Sequence, residues 1–167
     1  SVLFPKDPEA YFGIGNTSKA LGRMEEAVKS YNKAINLNPK YPQAYYNLAF
    51  TLKQIGRYEE SIFNFKKVIS LEPNFAQVHY NLALTFKEHG KLDHALLCYK
   101  QAINFDNNFG EAYWSLANLK TYEFTPKEIS EMESKTNLSS KSFEICLLSL
   151  ILQSFELFSK LDNLSSI

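Results

Sequence analysis

Along most of the chain the apolar positions recur with two spacings at once. Within a segment they return every three or four residues, the spacing that lines one face of a helix. Between segments the whole pattern returns after 34 residues. "PEAYFGIGNTSKALGRMEEAVKSYNKAINLNPKY" (8–41) is followed by "PQAYYNLAFTLKQIGRYEESIFNFKKVISLEPNF" (42–75) and "AQVHYNLALTFKEHGKLDHALLCYKQAINFDNNF" (76–109). Tyr11, Tyr45, His79 and Tyr113 each precede an aliphatic residue by three, at Ile14, Leu48, Leu82 and Leu116. Tyr31, Phe65 and Tyr99 stand in the same relation to Ala34, Val68 and Ala102. Each unit therefore predicts two amphipathic helices, and a fixed period of this size predicts that the units stack.

The residues between the apolar ones sharpen this picture. Gly22, Gly56 and Gly90 recur in step, where a helix must end in a left-handed residue. Small residues hold two further positions: Ala27, Ser61 and Ala95, then Gly15, Ala49, Ala83 and Ala117. They predict close helix approach. Pro39 and Pro73 close their units, and Asn107 replaces the third proline. Each unit reads as two antiparallel helices of roughly 14 residues, marginal alone and stabilised by stacking. These residues resemble the tetratricopeptide repeat, over 8–109. The resemblance implies an all-α, right-handed superhelical solenoid of antiparallel helix pairs. It also implies a protein- or peptide-binding scaffold with no chemistry of its own.

A fourth unit begins at Gly110, and Tyr113, Leu116 and Ala117 fall in phase. Then Phe124 stands where glycine is due, and "TPKE" replaces the turn. Thr125 as cap, Pro126 at the first helical position and Glu128 reaching back predict a short helix over 126–134. After "KTNLSS" a helix is predicted from about Lys141. There Leu148, Ile151, Leu152 and Phe155 have first-helix spacing, and "KLD" at 160–162 echoes "KLD" at 91–93. The expected organisation is a lead-in over 1–7 and an array over 8–120. Its units are 8–41, 42–75, 76–109 and a first helix over 110–122. A junction over 123–140 and a truncated helical unit over 141–167 follow. The chain starts at Ser1 without Met and stops as a second helix is due, so it is expected to be a piece of a longer protein.

"EAYWSLANLKTYEFTPKEISEME" resembles the end of the repeat region in bacterial proteins that join tetratricopeptide repeats to a sulfotransferase domain. That resemblance implies an alternative function, an N-terminal region that positions an acceptor for a catalytic domain. The chain itself offers no phosphate loop. "GIGNTS" (13–18) is two glycines inside a helix, without a strand before it.

Candidate contacts lie on the first helices, which line the concave face of such a stack. Asn47 and Asn81 are equivalent, and an amide both donates and accepts toward a peptide backbone. The pair is similar to the asparagine ladder of the animal N-acetylglucosamine transferase repeats, with Gly13 and Ser115 at the flanking rungs; a solvated polar face is the alternative. Phe12, Tyr46, Tyr80 and Trp114 precede these positions by one residue. They form either a sticky inner strip or packing between first helices, and Trp114 is the best ligand contact. Lys19, Lys53 and Lys87 form either a basic line or dipole partners at helix C-termini. Gln43, Gln77 and Asn118 complete the expected contact set. The chaperone-type carboxylate clamp needs Lys where Phe12 stands.

Composition narrows the classes further. Of 167 residues, 45% are hydrophobic and 22% charged, as in folded chains. Eighteen Lys+Arg balance 18 Asp+Glu, which argues against a nucleic-acid partner. Two cysteines, Cys98 and Cys146, make no disulfide framework, so a reduced, cytoplasmic setting is expected. "FEICLLSLILQSFELF" is short for a bilayer span and contains two glutamates, so no membrane role is expected. The three histidines lack partners at metal-ligand spacing, and no catalytic constellation, cofactor or metal is expected. The apolar face after Phe155 is a candidate for self-association.

Overall fold

The structure, a computed structural model, describes residues 6–119 and 124–130. Seven helices follow one another: α1 (Pro8–Ala20), α2 (Met24–Leu37), α3 (Pro42–Gln54), α4 (Tyr58–Leu71), α5 (Ala76–Glu88), α6 (Leu92–Phe105) and α7 (Gly110–Ala117). Each helix begins 34 residues after its counterpart in the preceding unit. Among the described residues there is no strand. The expected helix over 141–167, with its apolar face and Cys146, lies outside the described residues.

The turns inside the units are set by glycine. Gly22, Gly56 and Gly90 have φ of 74°, 77° and 78°. In each case two backbone bonds close the helix end. Gly56 N–H donates to the Lys53 carbonyl at 3.0 Å, and Arg57 N–H to the Leu52 carbonyl at 2.9 Å. The pairs at Gly22 and Gly90 are the same. This double closure satisfies carbonyls that the helix leaves free. A Cβ at these glycines would meet nothing within 4 Å, so the requirement is backbone conformation, not space. Gly56→Ala is expected to cost about 1–2 kcal/mol, the strain of a left-handed alanine. A denaturation midpoint unchanged from wild type would refute it.

The two helices of a unit pack against each other, and each second helix packs on the next first helix. Tyr31, Phe65 and Tyr99 occupy one repeat position and are all fully buried. Each contributes roughly 1.5–3 kcal/mol by burial. They face the small residues of the first helices. Ala27, Ser61 and Ala95 are equally buried. Ser61 is tolerated there because its hydroxyl donates to the Ala49 carbonyl at 2.7 Å. Gly15 is the extreme case. A Cβ there would lie 2.5 Å from the Tyr31 ring. The ring is drawn in by its own hydroxyl, which donates to Asn16 Oδ1 at 2.9 Å.

Successive first helices also touch, α1 with α3 and α3 with α5, whereas successive second helices make no comparable contact. The stack therefore closes toward the first-helix side, which becomes its concave face.

The fourth unit departs from this frame. α7 ends at Ala117, before the expected 122. The Asn118 side chain donates to the Trp114 carbonyl at 2.8 Å, a carbonyl that the Asn118 N–H also bonds. Such local bonding by Asn competes with helix continuation. Residues 126–130 are helical. Glu128 accepts from the Thr125 N–H and hydroxyl at 2.8 Å each. Glu128 N–H donates back to Thr125 Oγ1 at 3.3 Å. The capping box read from "TPKE" is thus formed.

Candidate functional site

The inner face is built from first-helix residues spaced three and four apart. Gln43, Tyr46 and Asn47 share one side of α3 by this rule, as Phe12 and Asn16 do on α1. Between them opens a cleft of about 290 Å³, lined by Phe12, Pro42, Gln43, Tyr46, Asn47, Val68, Glu72 and Phe75. The cleft brings together four of the expected contact residues. Lys53 lies at the other end of α3, and the others lie farther along the array. Gln77 is half-buried, Lys87 and Asn118 are exposed, and Trp114 is 43% exposed.

The aromatic strip is largely a packing device. Phe12 lies between Tyr31 and Tyr41, with ring centroids 5.9 and 5.1 Å away. Tyr46 lies between Phe65 and Phe75 at 5.9 and 6.3 Å. Tyr80 lies between Tyr99 and Phe109 at 5.8 and 4.9 Å. Each ring thus links a second helix to the connection that leads into the next unit. Trp114 has no such ring partner among the described residues.

The two asparagines have different surroundings. Asn81 is 6% exposed, and its amide donates to the Tyr46 hydroxyl at 2.7 Å. Burial raises the Tyr46 phenol above its ordinary pKa, and the bond from Asn81 opposes that rise. The next strap in the series joins the Tyr80 hydroxyl to Ser115 Oγ at 3.2 Å. At Asn47 the corresponding ring is Phe12, which has no hydroxyl. Asn47 is accordingly less buried, and its amide donates to Asn16 Oδ1 at 2.9 Å instead.

The lysine row is also engaged. Lys19 and Lys53 approach the Phe50 ring at 4.9 and 5.8 Å. Lys53 Nζ also bonds Glu88 at 2.9 Å. Partial burial lowers the Lys19 pKa. These links tie the C-terminal ends of neighbouring first helices together, each a contribution of about 0–1 kcal/mol.

The histidines serve packing. His79 is 4% exposed; its Nε2–H donates to the Pro73 carbonyl at 2.8 Å, and Nδ1 pairs with the Gln101 side chain at 3.1 Å. His89 bonds Glu59 at 2.7 Å, and His94 stacks on Phe86 at 5.0 Å. Among the described residues no three His, Cys, Asp or Glu side chains converge as a metal site would require. Cys98 is buried, and burial pushes its thiol up to about 11, partly opposed by Lys66. Such a thiol stays protonated and a poor nucleophile.

Three features of the surface were not anticipated. Phe75 and Glu72, from the connection after α4, complete the cleft. The aromatic series Tyr41, Phe75, Phe109 was the available signal. On the convex side a second cavity of about 460 Å³ is lined by Asn32, Ile35, Tyr45, Glu59, Glu60, Phe63, Asn64 and Lys67. Phe63 there is 58% exposed, and its repeat partner Leu97 is 60% exposed. Lys29 at the same position of the first unit marks it as an outward one.

A family model described as TPR repeat matches residues 15–56, 51–90 and 84–120. No curated protein matches the chain. Among solved structures it is similar to the crystal structure of MamA, at 23% identity and a TM-score of 0.67. That likeness covers 90% of this chain and 82% of the other. It is also similar to MamA 41-end from Desulfovibrio magneticus RS-1, at 22% identity and a TM-score of 0.65, covering 79% and 73%. These likenesses show the fold. None of them links the chain to a sulfotransferase. With matched segments running from residue 15 to residue 120, the chain belongs to the tetratricopeptide-repeat family.

Proposed function

We propose that the chain is a protein- or peptide-binding module that works through its concave face and does no chemistry of its own. One observation carries this reading. The cleft between α1 and α3 combines apolar walls from Phe12, Tyr46 and Phe75 with the amides of Gln43 and Asn47. That is the composition of a site for an extended chain, with apolar surface for side chains and amides for backbone. Of the expected ladder, Asn47 is the rung available to a ligand, because Asn81 holds Tyr46.

The test is selection of random dodecapeptides displayed on phage against the intact chain. Peptides selected on wild type are expected to bind the Gln43→Ala, Asn47→Ala double variant about ten-fold more weakly. Its thermal midpoint should fall only slightly, because Gln43 is exposed and the bond lost between Asn47 and Asn16 is one that water can replace. Selection of no peptide, or equal binding to the variant, would sink this reading.

The finer alternative, a region that positions an acceptor for a sulfotransferase, rests on the junction residues around "WSLANLKT". The capping box at Thr125 and Glu128 lies within that junction. Among the described residues no helix is long and apolar enough to cross a membrane. A cytoplasmic placement rests on the sparse cysteines.

A further inference from the structure

Gly13 has no explanation among the described residues. It sits in the interior of α1, where glycine is unfavourable relative to alanine. It is exposed, its φ is not positive, and a Cβ there would meet nothing within 4 Å. Neither backbone conformation nor helix packing requires it. This contrasts with Gly15, whose Cβ would strike Tyr31, and with Gly22, whose φ is 74°. Gly13 occupies the rung before Asn47 and directly follows Phe12, which lines the cleft. A bare helix surface beside a cleft is what close approach of another backbone needs.

The charge that lines the cleft is negative. Glu72 is the charged side chain among the lining residues, it is exposed, and no cation pairs with it among the described residues. Tyr41, its ring tilted against Phe12 at 5.1 Å, has its phenol pKa raised by burial and then by Glu9 and Asp7. The basic residues of the inner face, Lys19 and Lys53, lie at the opposite ends of the first helices, against Phe50.

We infer that the cleft accepts an extended peptide whose backbone crosses α1 over Gly13. One apolar side chain enters between Phe12, Tyr46 and Phe75, and an adjacent Lys or Arg meets Glu72. The inference rests on the peptide-binding reading above and names the peptide's chemistry.

The experiment is the same display of random dodecapeptides, now read by sequence and repeated on Glu72→Lys and Gly13→Leu. Both substitutions suit their backbones. Lys is favourable near a helix C-terminus, and Leu is a better helix former than Gly. Peptides selected on wild type are expected to share an apolar residue beside Lys or Arg. They should bind Glu72→Lys about ten-fold more weakly, and selection on that variant should turn toward acidic neighbours. Gly13→Leu should abolish their binding while raising the thermal midpoint. Peptides selected without a basic preference, and indifferent to both variants, would overturn this inference and leave the broader reading standing. Failure to select any peptide would overturn both. Light scattering at the working concentration covers the remaining occupant. If the peptides bind only by dissociating a dimer, the cleft belongs to a second copy, and the inference is overturned.

Discussion

Phe65→Ala is expected to remove about 3–5 kcal/mol of stability, the range for truncating a fully buried phenylalanine. Phe65 is 0% exposed, and its ring meets Tyr46 edge-on at 5.9 Å. It belongs to the core cluster that runs from Ala49 through Leu82 to Leu116, so its loss is felt in two units at once. Domains of this size are stable by about 5–15 kcal/mol, so the loss removes between about a fifth and all of that reserve. Phe63→Ala is the control. It lies two residues away on the same helix, is 58% exposed, and should change stability by about 0.5 kcal/mol or less. Urea midpoints followed by circular dichroism separate the two. Equal losses would mean that α4 does not present the face described.

The second large effect concerns two glycines in one helix. Gly15→Ala is expected to cost about 1–3 kcal/mol, the range for overpacking a filled site. Its Cβ would lie 2.5 and 2.6 Å from two carbons of the Tyr31 ring. That ring cannot retreat easily, being fully buried and tethered by its hydroxyl to Asn16. Ala49 and Ala83 are accepted at the same repeat position. By repeat spacing Ala49 meets Phe65, which has no hydroxyl, and Ala83 meets Tyr99, whose hydroxyl finds Leu84 where that of Tyr31 finds Asn16. Tyr31→Phe should therefore reduce the penalty of Gly15→Ala, a coupling that a double-mutant cycle measures directly. Gly13→Ala, two residues away, should instead stabilise by about 1 kcal/mol. A neutral or stabilising Gly15→Ala would show that the α1–α2 contact is looser than described.

Much of this fold was legible because its requirements are local and repeat. A left-handed residue needs glycine, so Gly22, Gly56 and Gly90 announce three turns without any knowledge of the packing. A fully buried aromatic opposite a small residue leaves the same pattern in each unit. The candidate site was harder to read, for the same reason. Periodicity treats Asn47 and Asn81 as equivalents, yet a single oxygen atom 35 residues upstream decides their roles. Tyr46 supplies that oxygen to Asn81, and Phe12 supplies none to Asn47. The cleft also draws Glu72 and Phe75 from a connection, where helical spacing says nothing about direction. Lys53 looked like one member of a basic line, but its partner Glu88 is 35 residues away and has no acidic counterpart at Gln54 in the preceding unit.

The missing hydroxyl at Phe12 also has a mechanical side. Tyr46 bolts the second unit to the third through a buried bond to Asn81, and Tyr80 bolts the third to the fourth through Ser115. The polar side-chain links between the first unit and the second, Asn47 to Asn16 and Arg57 to Glu25, are solvent-exposed. Bonds that water can replace resist opening less than buried ones. The polar links between units are therefore unequal, the most water-accessible lying beside the cleft, while the buried contact of Ala27, Val28 and Tyr31 with Leu48 and Leu52 holds the first unit on the second.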